Sequence, residues 1–500
     1  MKFIRRPDLT DSTRITIALE AITNMGTYGF ITQLARTYNV SRTFIYSLIH
    51  SVLLTLYIEI NSIPNPSGHA NLNKQLVDKD ILHYRLEGKS SIESISNMFQ
   101  YKDIYPSSVG YISQCLAYYG KKLPNTINVN SSEKVLLIWL NDEIYAHEIP
   151  ILVTIEPKSI AMLRIELAEN RDSSTWSNHF NHLTEHNIHP ILMSSDRGQG
   201  ITKASKETFE NVPFQPDTFH DMQNIGKVII SLENSAYKAI AYEYKRESVI
   251  SSAVSPKVIL ERRFAYNEAK EQAHEAIELY DQAHYLFCEI TEILEFIDKN
   301  GRFRSYEKAR QDILAAIELL KSLDHLRLFE VVETFEANLD ELLLYMHTAE
   351  EIYLHLSEKI TNQELLQALC LAWRCDHKLY HNPTSAQRVY LKDVRDFFLQ
   401  YSEILAEQNY SDLKEYVFSC LDNIIRGSSL VEAVNSLIRP YLNTCKGQIT
   451  QEMLNLIMFY HNHKRFNHGK RKGKAPIEIL TGQKLEKHWL DILIDTVKNS

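Results

Sequence analysis

The chain is poor in the residues that define several protein classes. Six cysteines in 500 residues, at 115, 288, 370, 375, 420 and 445, are too few and too scattered for a disulfide framework. Reduced thiols in a cytoplasm are the expectation. No apolar run approaches the roughly eighteen residues of a membrane span, so no membrane is expected as a partner. The opening MKFIRRPDLTDSTR has basic residues with no apolar stretch behind them, which does not fit a secretory signal. An excess of positive charge is also missing. The net charge of −9 argues against indiscriminate coating of DNA, but not against local DNA binding. Glycine and proline are few, 15 and 14, and their distribution carries the first structural information.

Between Lys227 and Arg426 the only glycines or prolines are Pro256, Gly301 and Pro383. Such a stretch cannot supply the turns of a β domain, so it reads as long helices. Ser255–Pro256 is a helix start, with Asn300–Gly301 as the matching stop. Between them Tyr266, Ala273, Tyr280, Phe287 and Leu294 recur every seven residues. Ala269, Ala276, Ala283, Ile290 and Ile297 repeat at an offset of three. This is an a/d seam whose simplest partner is another helix of the same domain.

The region before this block has two parts. Residues 1–125 read as helical, with two helix-turn-helix patterns. In the first, Ile31, Leu34 and Ala35 precede a turn at Asn39–Val40, and Ser41 caps a helix presenting Phe44, Ile45, Leu48 and Ile49 inward. Arg42, Thr43 and Tyr46 are left free near its start, where a recognition helix reaches base edges. The second pattern places Ile92, Ile95, Met98 and Phe99 before a Pro106–Ser107–Ser108 start and a helix with Val109, Ile112 and Leu116. From 133 to 220, short apolar runs (VLLIWL, IPILVTI, AMLRIEL and PILMSS) are separated by turns and the helical TWSNHFNHLTEHN. Three tightly joined strands, then a helix and another strand, point to an RNase H-like sheet.

Two acids stand where such strands emerge. Asp142 follows VLLIWLN, and Asp196 follows ILMSS. Glu143 adjoins Asp142, but neighbours on an extended chain point to opposite faces, and Asp142 is taken as the site residue. A third acid, Glu432, lies in the first turn of a helix in SSLVEAVNSLIRPYL, on the side of Asn435 and Arg439. Oxygen ligands converging from separate elements are what phosphodiester cleavage by two divalent ions requires. The closing HNHKRFNHGKRKGK concentrates Lys464, Arg465, Lys470, Arg471, Lys472 and Lys474, a pattern suited to phosphate contacts. Trp373, beside Arg374, is either a core tryptophan or a platform for an unpaired base.

The run NDEI followed by IPILVTIEP, then SSD, then SLVEAVNSLIRPYL, resembles bacterial insertion-sequence transposases of the RNase H-like DDE superfamily. The closing FYHNHKRFNHGKRKGKAPIEILTG is similar to their C-terminal signature. In that superfamily the first Asp lies on the first strand, the second on the fourth, and the Glu on a helix beyond. The resemblance carries catalytic and metal-holding roles onto Asp142, Asp196 and Glu432. It implies two Mg²⁺ or Mn²⁺ ions, and places Asp217 and His220 of PDTFH near the site as an Asp-x-x-His element. It further implies contacts to double-stranded DNA by Arg439 and the basic residues, a homodimer or higher assembly on DNA, and a bacterial cytoplasmic location. Asp196 and Glu432 are more than two hundred residues apart, so the helical block becomes an insertion before the catalytic helix.

The expected architecture is therefore an α/β RNase H-like core interrupted by a large all-α insertion and preceded by an all-α helix-turn-helix region. Its parts are 1–125 for DNA binding, 130–225 for the first part of the core, 226–425 for the insertion, and 426–500 for core completion and basic tail. The expected function is DNA strand cleavage and transfer at terminal inverted repeats. The alternative is a catalytically inactive, transposase-derived DNA-binding protein.

Overall fold

The computed structural model describes residues 8–62, 70–129, 133–252, 255–379, 383–406, 409–445 and 448–499. The chain divides into two compact units, Met1–Leu116 and Ala117–Ser500.

The first unit is helical. Helices α1 (Asp11–Thr23), α2 (Phe30–Thr37) and α3 (Arg42–Ser62) enclose Ile17, Ala21, Leu34, Ala35, Ile45 and Ile49. The turn between α2 and α3 works as its residues suggest: Asn39 takes a left-handed φ of 48°, and the Val40 amide donates to the Ala35 carbonyl. The Ser41 hydroxyl then accepts the Phe44 amide at 3.1 Å. Next come α4 (Ala70–Leu86), α5 (Ile92–Tyr101) and α6 (Val109–Lys121). The expected start of α6 is present, with Ser108 capping through the Tyr111 amide. Ile95, Phe99, Ile112 and Leu116 are buried, but Val109 is exposed rather than inward. The end of α6 belongs to the second unit.

The second unit begins earlier than residue 130. Residues 125–127 lie against a strand edge, the Ile127 amide donating to Leu163 and the Asn125 carbonyl accepting from Ile165. Part of the stretch between α6 and the first strand thus joins the sheet. The sheet consists of β1 (Val135–Ala146), β2 (Ile149–Ile155), β3 (Met162–Leu167), β4 (Ile188–Ser195) and β5 (Phe214–Pro216). Helices α7 (Ser173–Glu185) and α8 (Gln199–Thr208) flank β4 in sequence. Its order is β3-β2-β1-β4-β5. The first three strands are antiparallel neighbours, and β4 and β5 run parallel to β1 and to each other. Three residues long, β5 leaves no pattern that sequence reading could find.

β1 is also longer than its apolar run. Pairing with β2 continues through Asp142↔Val153 to Ala146↔Ile149, whereas the β4 register reaches only Leu140↔Ser194. Asp142 thus lies inside β1, just past the point where its β4 pairing stops.

From Thr218 the chain is helical for two hundred residues: α9 (Thr218–Ser248), α10 (Pro256–Ile293), α11 (Tyr306–Lys321), α12 (Leu326–Ala337), α13 (Leu339–Leu342), α14 (Leu344–Lys359), α15 (Gln363–Leu379), α16 (Ser385–Ala406) and α17 (Tyr410–Asp422). The α10 seam buries Ala269, Ala273, Ala283 and Ile290, and its partner is α9 of the same chain. Gly226 faces Phe287 while Arg262 reaches the Val249 carbonyl, so the two helices form an antiparallel hairpin. Ser255 caps α10 as expected. The helix stops at Ile293 rather than at Asn300, because Asp298 accepts the amides of Asn300 and Arg302 and folds the intervening residues into a tight turn. Gly301, at a φ of 78°, is pressed to where a Cβ would sit 2.5 Å from the Gln367 carbonyl.

The chain closes with α18 (Ser429–Thr444), α19 (Gln451–His463), α20 (Pro476–Thr481) and α21 (Trp489–Asn499). Side-chain amides of α19 bond to β3: Asn462 exchanges two bonds with Met162, and Gln451 does so with Ile165 and Leu167. They satisfy backbone groups that an edge strand would otherwise present. Among the described residues no helix is long and apolar enough to cross a membrane.

Candidate functional site

The site is built where parallel pairing between β1 and β4 gives out. Continuing the Leu140↔Ser194 register by two residues sets Asp142 opposite Asp196. The Asp142 carboxylate accepts the Glu143 amide on Oδ1 at 2.8 Å and the Asn435 side-chain amide on Oδ2 at 2.7 Å. Burial pushes the Asp142 carboxyl up to about 7; the Glu143 amide opposes this, and the negative charges of Asp196 and Glu432 add to it. Asp196 accepts the Gly198 amide at 3.0 Å as the head of its turn. Glu143, on the opposite side of the strand from Asp142, pairs with Arg171 at 2.7 Å.

Glu432 lies on α18, and the start of that helix is fastened near β5 despite the long separation in sequence. Asp217, which caps α9 through the Phe219 amide, also accepts both the amide and the hydroxyl of Ser428, at 3.0 and 2.8 Å. Thr218 donates from its amide and hydroxyl to the Arg426 carbonyl. Gly427 lies so close that a Cβ there would sit 2.4 Å from Asp217 Oδ1. These contacts fasten the start of the catalytic-helix candidate to the end of β5 across a separation of 211 residues.

Asp217 and His220 thus have distinct jobs. Burial alone would raise the Asp217 carboxyl, but bonds from His220 and Ser428 outweigh it and hold it below the usual range. His220, 3.5 Å from Asp217, is raised above the usual imidazole value chiefly by that contact, and it feels the charges of Asp196 and Asp142 as well.

Glu432 and Arg439 are exposed and paired to each other at 3.3 Å. Among the described residues no three carboxylate, imidazole or thiol groups converge closely enough to hold a metal ion as they stand. Asn435, by contrast, is fully buried, and its Oδ1 has no hydrogen-bond partner. It shares a helix face with Glu432, but its role was not legible before Asp142 was seen beneath it. Arg197, adjacent to Asp196, turns away to Asp221 at 2.8 Å and Glu341 at 3.4 Å.

Other candidates separate into two groups. Arg42, Thr43 and Tyr46 of the first unit are exposed at the start of α3. The basic tail is largely engaged. Lys464 bonds Tyr460, Arg465 pairs with Glu478, Lys470 pairs with Asp376 and Asp422, and Arg471 donates to the carbonyls of Pro157 and Lys158. Lys472 and Lys474 are exposed. Trp373 is corrected to a core residue. It is 3% exposed, packed by Phe296 and stacked on His377, and its indole N–H donates to Asp422, so no ring face is open to a base. Compared with protein-family profiles and with curated proteins, the chain matches neither a family profile nor a curated protein.

Proposed function

We propose that this protein is a DNA transposase of the DDE type, cleaving and joining DNA ends with Asp142, Asp196 and Glu432. The observation that carries the proposal is the meeting of three separate elements at one point. Asp142 lies two residues past the last β1–β4 ladder pair and Asp196 directly follows β4, close enough for their charges to interact, and α18 is docked through Asn435 onto Asp142 itself. The first acid on the first strand, the second at the end of the fourth and the third on a later helix is the arrangement of RNase H-like DDE enzymes, which supports reading the five-stranded sheet as such a core.

The donor set fits a hard divalent cation. It is made of carboxylate oxygens plus the unpartnered buried Oδ1 of Asn435. Crowded acids that push Asp142 towards protonation are what a bound cation would relieve. Mg²⁺ or Mn²⁺ held by Asp142, Asp196 and Glu432 would supply Lewis acidity for the attacking and leaving oxygens. Asn435 orients Asp142, and the Asp217–Ser428 bonds keep Glu432 in reach. Convergence requires Glu432 to leave Arg439, an exposed pair worth little. His220, its proton affinity raised by Asp217, stands beside the site as a hydrogen-bonding contact for a phosphate.

The exposed start of α3 supports recognition of element ends by the first unit, with joining of two ends calling for a dimer or larger assembly. The test is Mg²⁺-dependent nicking of DNA carrying the sequences that flank this gene, comparing wild type with Asp196→Ala. Nicking by the wild type and a loss of roughly a hundredfold or more in the variant are expected. Equal nicking by both would sink the triad. Specific binding with no nicking by either would favour the inactive DNA-binding alternative.

A further inference from the structure

Behind the two strand ends lies a polar chain that the carboxylate chemistry does not use. Asn141, Thr154 and His179 are all fully buried, in a layer where apolar side chains are the rule. Thr154 of β2 donates its hydroxyl to Asn141 Oδ1 of β1 at 2.7 Å. Its oxygen also lies 3.0 Å from His179 Nε2 of α7, whose Nδ1 is 3.0 Å from Glu166 Oε2 of β3. Glu166 is held in turn by Arg164 at 2.9 Å. At the other end the Asn141 amide reaches across to the Ser194 carbonyl of β4 at 3.5 Å. One connected set of side chains therefore spans β3, α7, β2 and β1, and ends on a backbone carbonyl of β4.

Its position is informative. The β1–β4 ladder is irregular at Leu137/Ile138, and its register runs out at Leu140↔Ser194. β2 holds β1 and β5 holds β4 from their outer sides, but between β1 and β4 themselves no ladder pair lies beyond Leu140↔Ser194. Asp142 and Asp196 lie past that pair. Asn141, next to Asp142, reaches back to the Ser194 carbonyl of that last ladder pair at 3.5 Å, its amide also lying 3.4 Å from the Trp139 carbonyl of its own strand. Thr154 and His179 hold the amide in the orientation that makes this side-chain tie.

Resting on the reading above, we propose that Asn141, Thr154 and His179 are positioning residues that set the spacing of Asp142 and Asp196 for a divalent cation. Thr154 is the junction, since its hydroxyl meets both neighbours. Replacing it with valine keeps the shape and the strand preference but removes the hydroxyl and leaves buried partners unsatisfied. Serine restores the hydroxyl.

The experiment is Mn²⁺ binding by isothermal titration calorimetry on the full chain without DNA. It compares wild type, Thr154→Val, Thr154→Ser, His179→Gln and Asp196→Ala, with thermal melting of each as a fold control. Expected are loss of binding in D196A, affinity weakened roughly tenfold or more in T154V and H179Q, and T154S close to wild type. Wild-type affinity in a folded T154V and a folded H179Q, with D196A still defective, overturns this proposal and leaves the metal reading intact. If T154V does not fold, H179Q alone decides by the same measure. Equal Mn²⁺ binding by wild type and D196A, or none by wild type, overturns the metal reading and this proposal with it.

Discussion

Asp142 combines two demands that oppose each other. It accepts two hydrogen bonds, which favour the carboxylate, yet burial and two neighbouring acids push its carboxyl up to about 7. The unfolded chain would release that proton near pH 4. Between those values the folded state binds the extra proton, so this group's contribution to stability is full below about pH 4 and is lost as pH rises towards 7. In metal-free buffer, the melting temperature of Asp142→Asn should therefore gain on wild type across this window and level off above it. The full effect is at most about 4 kcal/mol. Mn²⁺ at pH 8 should raise the wild-type melting temperature and leave the variant unmoved. A difference that stays flat from pH 4 to 8 would show that Asp142 titrates normally. Alternation along an extended chain says that only one of Asp142 and Glu143 can face a given side, and the structure agrees, with Asn435 meeting Asp142 and Arg171 meeting Glu143. What could not be read was Asn435 as the Asp142 partner, since an asparagine on a helix carries no mark of which acid it will meet.

At the scale of elements, the gap between β5 and α18 is closed by side chains at the two ends rather than by the length of chain between them. Asp217 does double duty as the cap of α9 and as the acceptor for Ser428, and Gly427 leaves room for that contact. A methyl group at 427 would strike the Asp217 carboxylate. Gly427→Ala should cost about 1–3 kcal/mol, with hydrogen exchange faster in α18 than in the α9–α10 hairpin. Uniform change across the molecule would mean that the junction is not a local clasp. Elements whose reasons are local were legible: the Ser41 and Ser255 caps, the α10 seam, and the apolar runs of β1 to β4. Three features had non-local reasons and were missed. The last six residues of β1 open with the polar run Asn141–Glu143 but are held by β2, β5 is held by three pairs with β4, and the end of α10 is drawn in by the Asp298 turn. The same distinction explains the basic tail. Its composition suggested a phosphate surface, whereas Arg465 and Arg471 are spent on Glu478 and on the carbonyls of residues 157 and 158.

Over the whole molecule, 63 acidic residues outnumber 54 basic ones, so any affinity for DNA must come from a small number of well-placed cations. With four of the six tail cations bound within the fold, the exposed start of α3 gains weight as a DNA-reading surface. Each phosphate contact contributes a slope of roughly −0.9 in the logarithmic dependence of affinity on salt. Arg42→Ala should reduce the slope for DNA carrying the flanking sequences by about one if Arg42 contacts a phosphate. If it reads a base edge instead, the variant should keep the slope and lose roughly 1–3 kcal/mol of discrimination against altered sequence. Asp196→Ala should leave both quantities unchanged, because an acid with the proposed role in strand cleavage does not neutralise phosphate. Fluorescence anisotropy across a salt series separates these outcomes. Arg465→Ala provides the contrast, since removing the Glu478 partner should lower the melting temperature with little change in slope. A large change of slope in R465A together with none of either kind in R42A would move the DNA-reading surface from α3 to the C-terminal loop.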